Sequence, residues 1–146
     1  MPSKELGLYI DRTYKIVRQD LINRFKENGV DLTPEQWVVV SRLESQGKMY
    51  QTELANHSFR DKPTVSRIID LLVKKKIVIR TPDKLDGRRF IISLTRKGEK
   101  LVDVAYPIVQ ESRDRGWTNL TEKEYEDLVR ILDKVFTNYA ELREEN

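Results

Sequence analysis

The chain has 146 residues, 38% of them hydrophobic and 35% charged, with a net charge of +3 and no cysteine. That length fits one domain, or one domain with a dimerisation arm, and the charge content suits a helical protein with much exposed surface. Disulfides, thiolate metal sites and cysteine redox switching are excluded, the single histidine (His57) leaves little for a transition-metal site, and no apolar run approaches the ~18 residues of a membrane span.

Met1-Pro2-Ser3-Lys4-Glu5 leads into a charged helix without a signal-peptide core, so a cytoplasmic location is expected. Over residues 6–27 the apolar positions Ile10, Tyr14, Val17, Leu21 and Phe25 step by four, three, four and four, which makes one helical stripe. Asn28-Gly29 closes that helix, Gly29 being suited to a left-handed residue. Thr33-Pro34-Glu35-Gln36 opens the next with a capping box and a proline in the first turn. Trp37, Val38, Val40 and Leu43 then predict a largely buried helix ending near Gly47. A short helix follows over residues 51–57, with Leu54 and Ala55 inward and His57 as a surface or turn residue. Ser58-Phe59-Arg60 forms the turn.

Asp61 is an N-cap for a helix over residues 62–75 whose inward stripe is Val65, Ile68, Ile69 and Leu72. Its outward arc carries Pro63, Arg67, Asp70 and Lys74, flanked by Thr64, Ser66 and Leu71. Two short β-branched runs, residues 77–80 and 90–94, predict paired strands, and residues 81–87 form the loop between them. A long helix begins at Thr95 and runs to about Gly116, with Pro107 removing a hydrogen bond or bending it. Thr121-Glu122-Lys123-Glu124 is a capping box for a last helix with apolar positions Tyr125, Leu128, Ile131, Leu132, Val135, Phe136 and Tyr139.

An amphipathic helix, a strand, a charged turn and a second strand make the layout of a winged helix-turn-helix. The expected fold is therefore mainly α with a small β-hairpin wing. Residues 31–99 form the DNA-binding module, and residues 1–30 and 100–146 form a helical dimerisation region. The long apolar stripes of the terminal helices exceed what the small module can cover, which points to a two-fold homodimer. Charge agrees with DNA. Residues 60–100 hold 13 Lys/Arg against 5 Asp/Glu, a local net of +8, while the rest of the chain is net −5.

At this point the sequence resembles the MarR family of transcriptional regulators over nearly its whole length. Leu32-Thr33-Pro34-Glu35-Gln36-Trp37 resembles the opening of the family's second helix, and Thr52-Glu53-Leu54-Ala55 the first helix of its helix-turn-helix. Lys62 to Leu72 resembles the recognition helix. Asp86-Gly87-Arg88-Arg89 and Leu94-Thr95-Arg96-Lys97-Gly98 resemble the wing tip and the exit from the wing. The resemblance implies an obligate homodimer, palindromic operator DNA and release by a small anionic or aromatic ligand. It also implies that Arg88 is held by Asp86. The family has Gly after the recognition helix where this chain has Lys76, so this helix is expected to end differently.

Arg67, mid-arc on the recognition helix, can pair bidentately with a guanine edge, or else with Asp70 on the surface. Thr64 and Ser66, near the helix start, suit phosphate or base-edge contacts, with local capping as the alternative. Pro63 either touches a thymine methyl or sets the turn. Arg88 on the wing tip fits the narrow, negative minor groove of A/T-rich DNA. Arg89, one residue on, points the other way, toward phosphate or the wing base. Lys62, Lys74, Lys75 and Lys84 are phosphate candidates, and Gln51 and Thr52 either donate to phosphate or cap their helix. Tyr9, Arg12, Tyr14 and Trp37 are candidates for an effector pocket near the dimer interface, with packing as the ordinary alternative. No Gly-rich phosphate loop and no nucleophile–base pair is identifiable, and no enzyme activity or cofactor is expected. The rival reading is a winged helix that docks protein, against which the basic segment argues.

Overall fold

In a computed structural model, which describes residues 4–58 and 61–144, the elements run α1 (Leu6–Glu27), α2 (Pro34–Gln46), β1 (Met49–Tyr50), α3 (Gln51–Ser58), α4 (Lys62–Lys74), β2 (Val78–Pro82), β3 (Phe90–Leu94), α5 (Arg96–Gly116) and α6 (Glu122–Glu144). Phe59 and Arg60 of the expected turn, and the side chain of His57, lie outside what is described. The chain forms two compact units, residues 1–112 and 113–146.

In the first unit the helix ends follow local chemistry. α1 stops where Gly29 turns left-handed at φ 68°, and Val30 N–H donates back to the Phe25 carbonyl at 2.8 Å. α2 begins with the capping box: Gln36 N–H donates to Thr33 Oγ1, and Thr33 N–H to Gln36 Oε1, both at 3.1 Å. Val39 and Val40 are buried and Val38 is exposed, so the inward face is turned from the expected one. Trp37 is buried edge-on against Phe25, ring centroids 6.3 Å apart.

The wing is more than the expected hairpin. β2 and β3 pair antiparallel, and β1 adds to the other side of β3 with Met49 opposite Ile92. Two residues are too few to show a period-2 pattern, so β1 left no signal in the sequence. β2 also starts one residue later than expected and extends to Pro82, opposite Phe90. β2 is an edge strand, where a residue lacking N–H is tolerated.

The core gathers Phe25 of α1, Trp37, Val40 and Leu43 of α2, Leu54 of α3, Val65, Ile69 and Leu72 of α4, Ile92 of β3, and Val102 and Ala105 of α5. Full burial of each large aliphatic contributes roughly 1.5–3 kcal/mol. α5 is clasped to α1 by an Arg24–Glu111 ion pair of 3.1 Å and by Ser112 Oγ donating to Asp20 Oδ2 at 2.5 Å. α5 continues through Pro107, whose missing N–H removes one helical bond.

In the second unit Thr121 and Glu124 form the expected capping box, and Trp117 packs edge-on against Tyr125 at 5.2 Å. α6 exposes Leu128, Ile131, Leu132 and Tyr139. α1 exposes Leu6, Ile10, Tyr14 and Val17 in the same manner. Among the described residues no helix is long and apolar enough to cross a membrane, and no cluster of three metal-ligating side chains occurs.

Candidate nucleic-acid interface

Asp61 caps α4, its carboxylate accepting the Thr64 N–H at 3.2 Å. Bonds from Thr64, aided by the charge of Arg67, hold that carboxyl below its ordinary range. The helix then buries Val65, Ile69 and Leu72 and half-buries Ile68. Its opposite face is left to solvent, with Lys62, Pro63, Arg67 and Lys74 exposed and Thr64 and Ser66 half-buried.

Arg67 makes no hydrogen bond or ion pair among the described residues. The alternative pairing with Asp70 is overturned, because Asp70 is taken by Arg80 of β2, Oδ1 to Nη2 at 2.6 Å. An unpaired guanidinium projecting from the middle of a recognition helix can approach a base edge without first breaking a contact.

The end of α4 corrects a second expectation. Lys76 is left-handed at φ 62°. Its N–H donates to the Val73 carbonyl at 2.9 Å, and Ile77 N–H to that of Leu72 at 3.0 Å. That is the helix stop a glycine makes, formed here by a lysine against a strain of about 1–2 kcal/mol. The exit from the wing holds it in place. Thr95 Oγ1 donates to the Lys76 carbonyl at 2.6 Å, and Thr95 N–H to that of Ile77 at 3.0 Å. Gly98 packs on the same spot. A Cβ there would lie well inside van der Waals contact of the Ile77 carbonyl oxygen. Lys75 is turned away from the helix's outer face: its Nζ donates to the Asp31 carbonyl at 3.0 Å and to Gln36 Oε1 at 3.1 Å.

The wing tip is built around Asp86. Its Oδ1 accepts the backbone N–H of Arg88 at 3.1 Å and the Arg88 Nε at 3.2 Å, which lowers the carboxyl below its ordinary range. Arg88 stays 92% exposed, so its stem is aimed while its charge remains available. Arg89 points elsewhere, its guanidinium stacked on the Tyr50 ring at 3.6 Å. Tyr50 in turn donates its hydroxyl to Asp83 Oδ2 at 3.1 Å, tying β1 to the wing loop and raising the phenol's pKa. Lys84 is exposed on the loop.

Gln51, Thr52, Lys62, Arg88 and Arg89 come together around one cleft of about 180 Å³ between α3, the start of α4 and the wing, lined also by Val65 and Phe90. Gln51 spends its side-chain oxygen on Arg80 Nε, at 3.2 Å. Arg80, which sequence reasoning did not single out, thus touches both helices of the helix-turn-helix. The signal was present: strand alternation puts Arg80 on the same face as the buried Val78.

The candidate effector residues separate. Tyr14 and Trp37 line a second cleft, about 190 Å³, with Val17, Leu21, Pro34 and Val38. Arg18 and Glu35 close one side of it as a bidentate pair at 2.6 and 3.0 Å. Tyr9 and Arg12 do not line that cleft and instead stack on each other at 4.4 Å.

The model of the MarR family matches residues 32–90, which run from just before α2 to the start of β3. The HTH-type transcriptional regulator SarZ of Staphylococcus epidermidis is 30% identical over 135 residues, covering 92% of this chain and 88% of that protein. The HTH-type transcriptional regulator FarR of Neisseria gonorrhoeae is 29% identical over 142 residues, covering 91% and 97%. Among solved structures, a mutant MarR from E. coli, complexed with operator DNA, superposes with a TM-score of 0.81 at 26% identity, covering 90% of this chain and 94% of that one. With its recognition helix, its wing and these relatives, the chain belongs to the MarR family of transcriptional regulators.

Proposed function

We propose that the protein is a homodimeric repressor that binds a palindromic operator through residues 31–99 and dimerises through residues 1–30 and 100–146. The observation that carries this reading is the pair of available arginines. Arg67 stands without a hydrogen bond or ion pair on the outer face of α4, and Arg88 is held by Asp86 at the exposed wing tip. One suits a base edge in the major groove, the other the minor groove beside it. Lys62, Lys74 and Lys84 are exposed where phosphates would pass, and Pro63, Thr64, Ser66, Gln51 and Thr52 border the same surface. The operator complex of MarR from E. coli supports duplex DNA as the partner.

Dimerisation rests on the exposed apolar residues of α1 and α6, which no soluble monomer would leave in water over such length. Two recognition helices about one helical turn apart would read a palindrome, and a dimer lying there would block transcription from the site. The 190 Å³ cleft between α1 and α2 is the place for a small aromatic or anionic effector, with Tyr14 and Trp37 as ring partners. The protein acts in the cytoplasm, where its DNA is.

The test is footprinting with a duplex selected from a random pool by the purified protein, alongside light scattering. The expected results are two protected half-sites about one helical turn apart and a particle of twice the 17.3 kDa chain mass. Equal affinity for selected and scrambled duplex, or a monomer at micromolar concentration, would refute the reading.

A further inference from the structure

Arg80 joins three elements with one side chain. Its Nε donates to Gln51 Oε1 of α3 at 3.2 Å, its Nη2 lies 2.6 Å from Asp70 Oδ1 of α4, and its guanidinium centre sits 5.9 Å from the Phe90 ring centroid on β3. Among the described residues this is the one ion pair between the recognition helix and the wing strands. It is partly sheltered, the Arg80 side chain being 24% exposed. Nη2 is wholly enclosed and makes no aligned hydrogen bond, so Asp70 supplies its compensation as charge. The backbone end is equally fixed, because Arg80 faces Ile92 across the β2–β3 pair. By contrast Arg88, at the tip, is attached to its surroundings only within the wing loop, through Asp86.

We propose that Arg80 is a positioning residue that sets the angle of the wing against the recognition helix, so that the contribution of Arg88 to DNA binding depends on Arg80. The physical reason is geometric. A two-stranded ribbon is weakly constrained by itself, and a groove contact is lost when its donor moves by an ångström or more. The Arg80–Asp70 pair fixes the ribbon to the same helix that sets the register on the major groove. Asp70 therefore has a use on an otherwise basic face. It is there to hold Arg80, although a carboxylate near phosphate is unfavourable by itself.

The inference rests on the reading of Arg88 as a DNA contact, and the test separates the two. Wild type, Arg88→Ala, Arg80→Gln and the double variant are titrated by fluorescence anisotropy against the selected duplex. Wing exchange is followed in the DNA-free proteins by hydrogen–deuterium exchange. In the wild-type background Arg88→Ala should weaken binding by about tenfold, the cost of one good groove contact in each half-site. In the Arg80→Gln background the same change should cost less than about twofold, because contacts that share a partner are non-additive.

Without DNA, amides of residues 83–93 should exchange faster in Arg80→Gln while those of α1 and α5 keep their rates, which a general loss of stability would not produce. Asp70→Asn, which removes the same pair from an exposed position, should reproduce both effects and covers the case in which Arg80→Gln folds poorly. Equal Arg88 increments in the two backgrounds, or unchanged wing exchange in both Arg80→Gln and Asp70→Asn, overturns the positioning role and leaves the DNA reading intact. An Arg88→Ala variant that binds as wild type overturns the wing reading and the positioning role together.

Discussion

Replacing Lys76 by glycine should make the protein more stable, against the usual direction for a substitution to glycine. Lys76 sits at φ 62°, and its N–H and that of Ile77 close the end of α4 on the Val73 and Leu72 carbonyls. A left-handed residue with a Cβ costs about 1–2 kcal/mol, and glycine has no such penalty. Set against this is the greater freedom of glycine in the unfolded chain, about 0.5–1 kcal/mol. The Lys76 side chain is exposed and makes no hydrogen bond or ion pair among the described residues, so little else is lost. The net expectation is a gain of about 0.5–1 kcal/mol, or a rise in Tm of roughly 1–4 °C for a chain of this length. Thermal unfolding followed by circular dichroism at fixed protein concentration measures it, and concentration matters because dimerisation shifts Tm. Lys76→Ala controls for loss of the lysine side chain and should leave Tm near the wild-type value, since alanine keeps the Cβ. A Lys76→Gly protein no more stable than Lys76→Ala would refute the strain argument.

Gly98→Ala should destabilise by roughly 1–3 kcal/mol, since its Cβ would press on the Ile77 backbone carbonyl and something in the α4–α5 junction would have to move; urea unfolding checks it. The Asp61 cap should show in pH dependence. Its folded pKa is depressed, so its stabilisation is present above the unfolded carboxylate value near pH 4 and fades as pH falls through the folded one. Asp61→Asn, which caps without titrating, should flatten that part of a Tm-against-pH curve while leaving neutral pH nearly unchanged. Lys84→Ala should weaken binding to selected and random duplexes alike and lower the salt slope by about 1 per lost phosphate contact.

Most of the architecture was legible because each helix carries its own boundary chemistry. Thr33 with Gln36, Asp61 with Thr64, and Thr121 with Glu124 mark starts that the structure places where the capping logic puts them. What was not legible depends on partners distant in the chain. β1 is two residues long and exists only because β3 passes beside it. Val38 and Val39 exchange roles because helical spacing gives a stripe but not its phase against a core assembled from other helices. Lys75 looked like a phosphate ligand until Asp31 and Gln36 approached it from far along the sequence. Asp70 is the clearest instance: local spacing offered Arg67, three residues away on the same helix, and the fold supplied Arg80 from the wing. The Asp86–Arg88 contact was readable because it is local, two residues within one turn.

The central claim is that Arg67 on α4 and Arg88 on the wing read DNA in different grooves. Fluorescence anisotropy of wild type, Arg67→Ala and Arg88→Ala against the selected duplex, against single-base variants of it and against a scrambled duplex tests this most directly. Arg67→Ala should cost about 1–3 kcal/mol per half-site and relax the preference at one base pair in each. Arg88→Ala should lose most where the flanks are A/T-rich, because the narrow minor groove there is what attracts an inserted arginine. Wild-type affinity for the selected duplex in both variants would contradict the account and would favour a winged helix that docks protein.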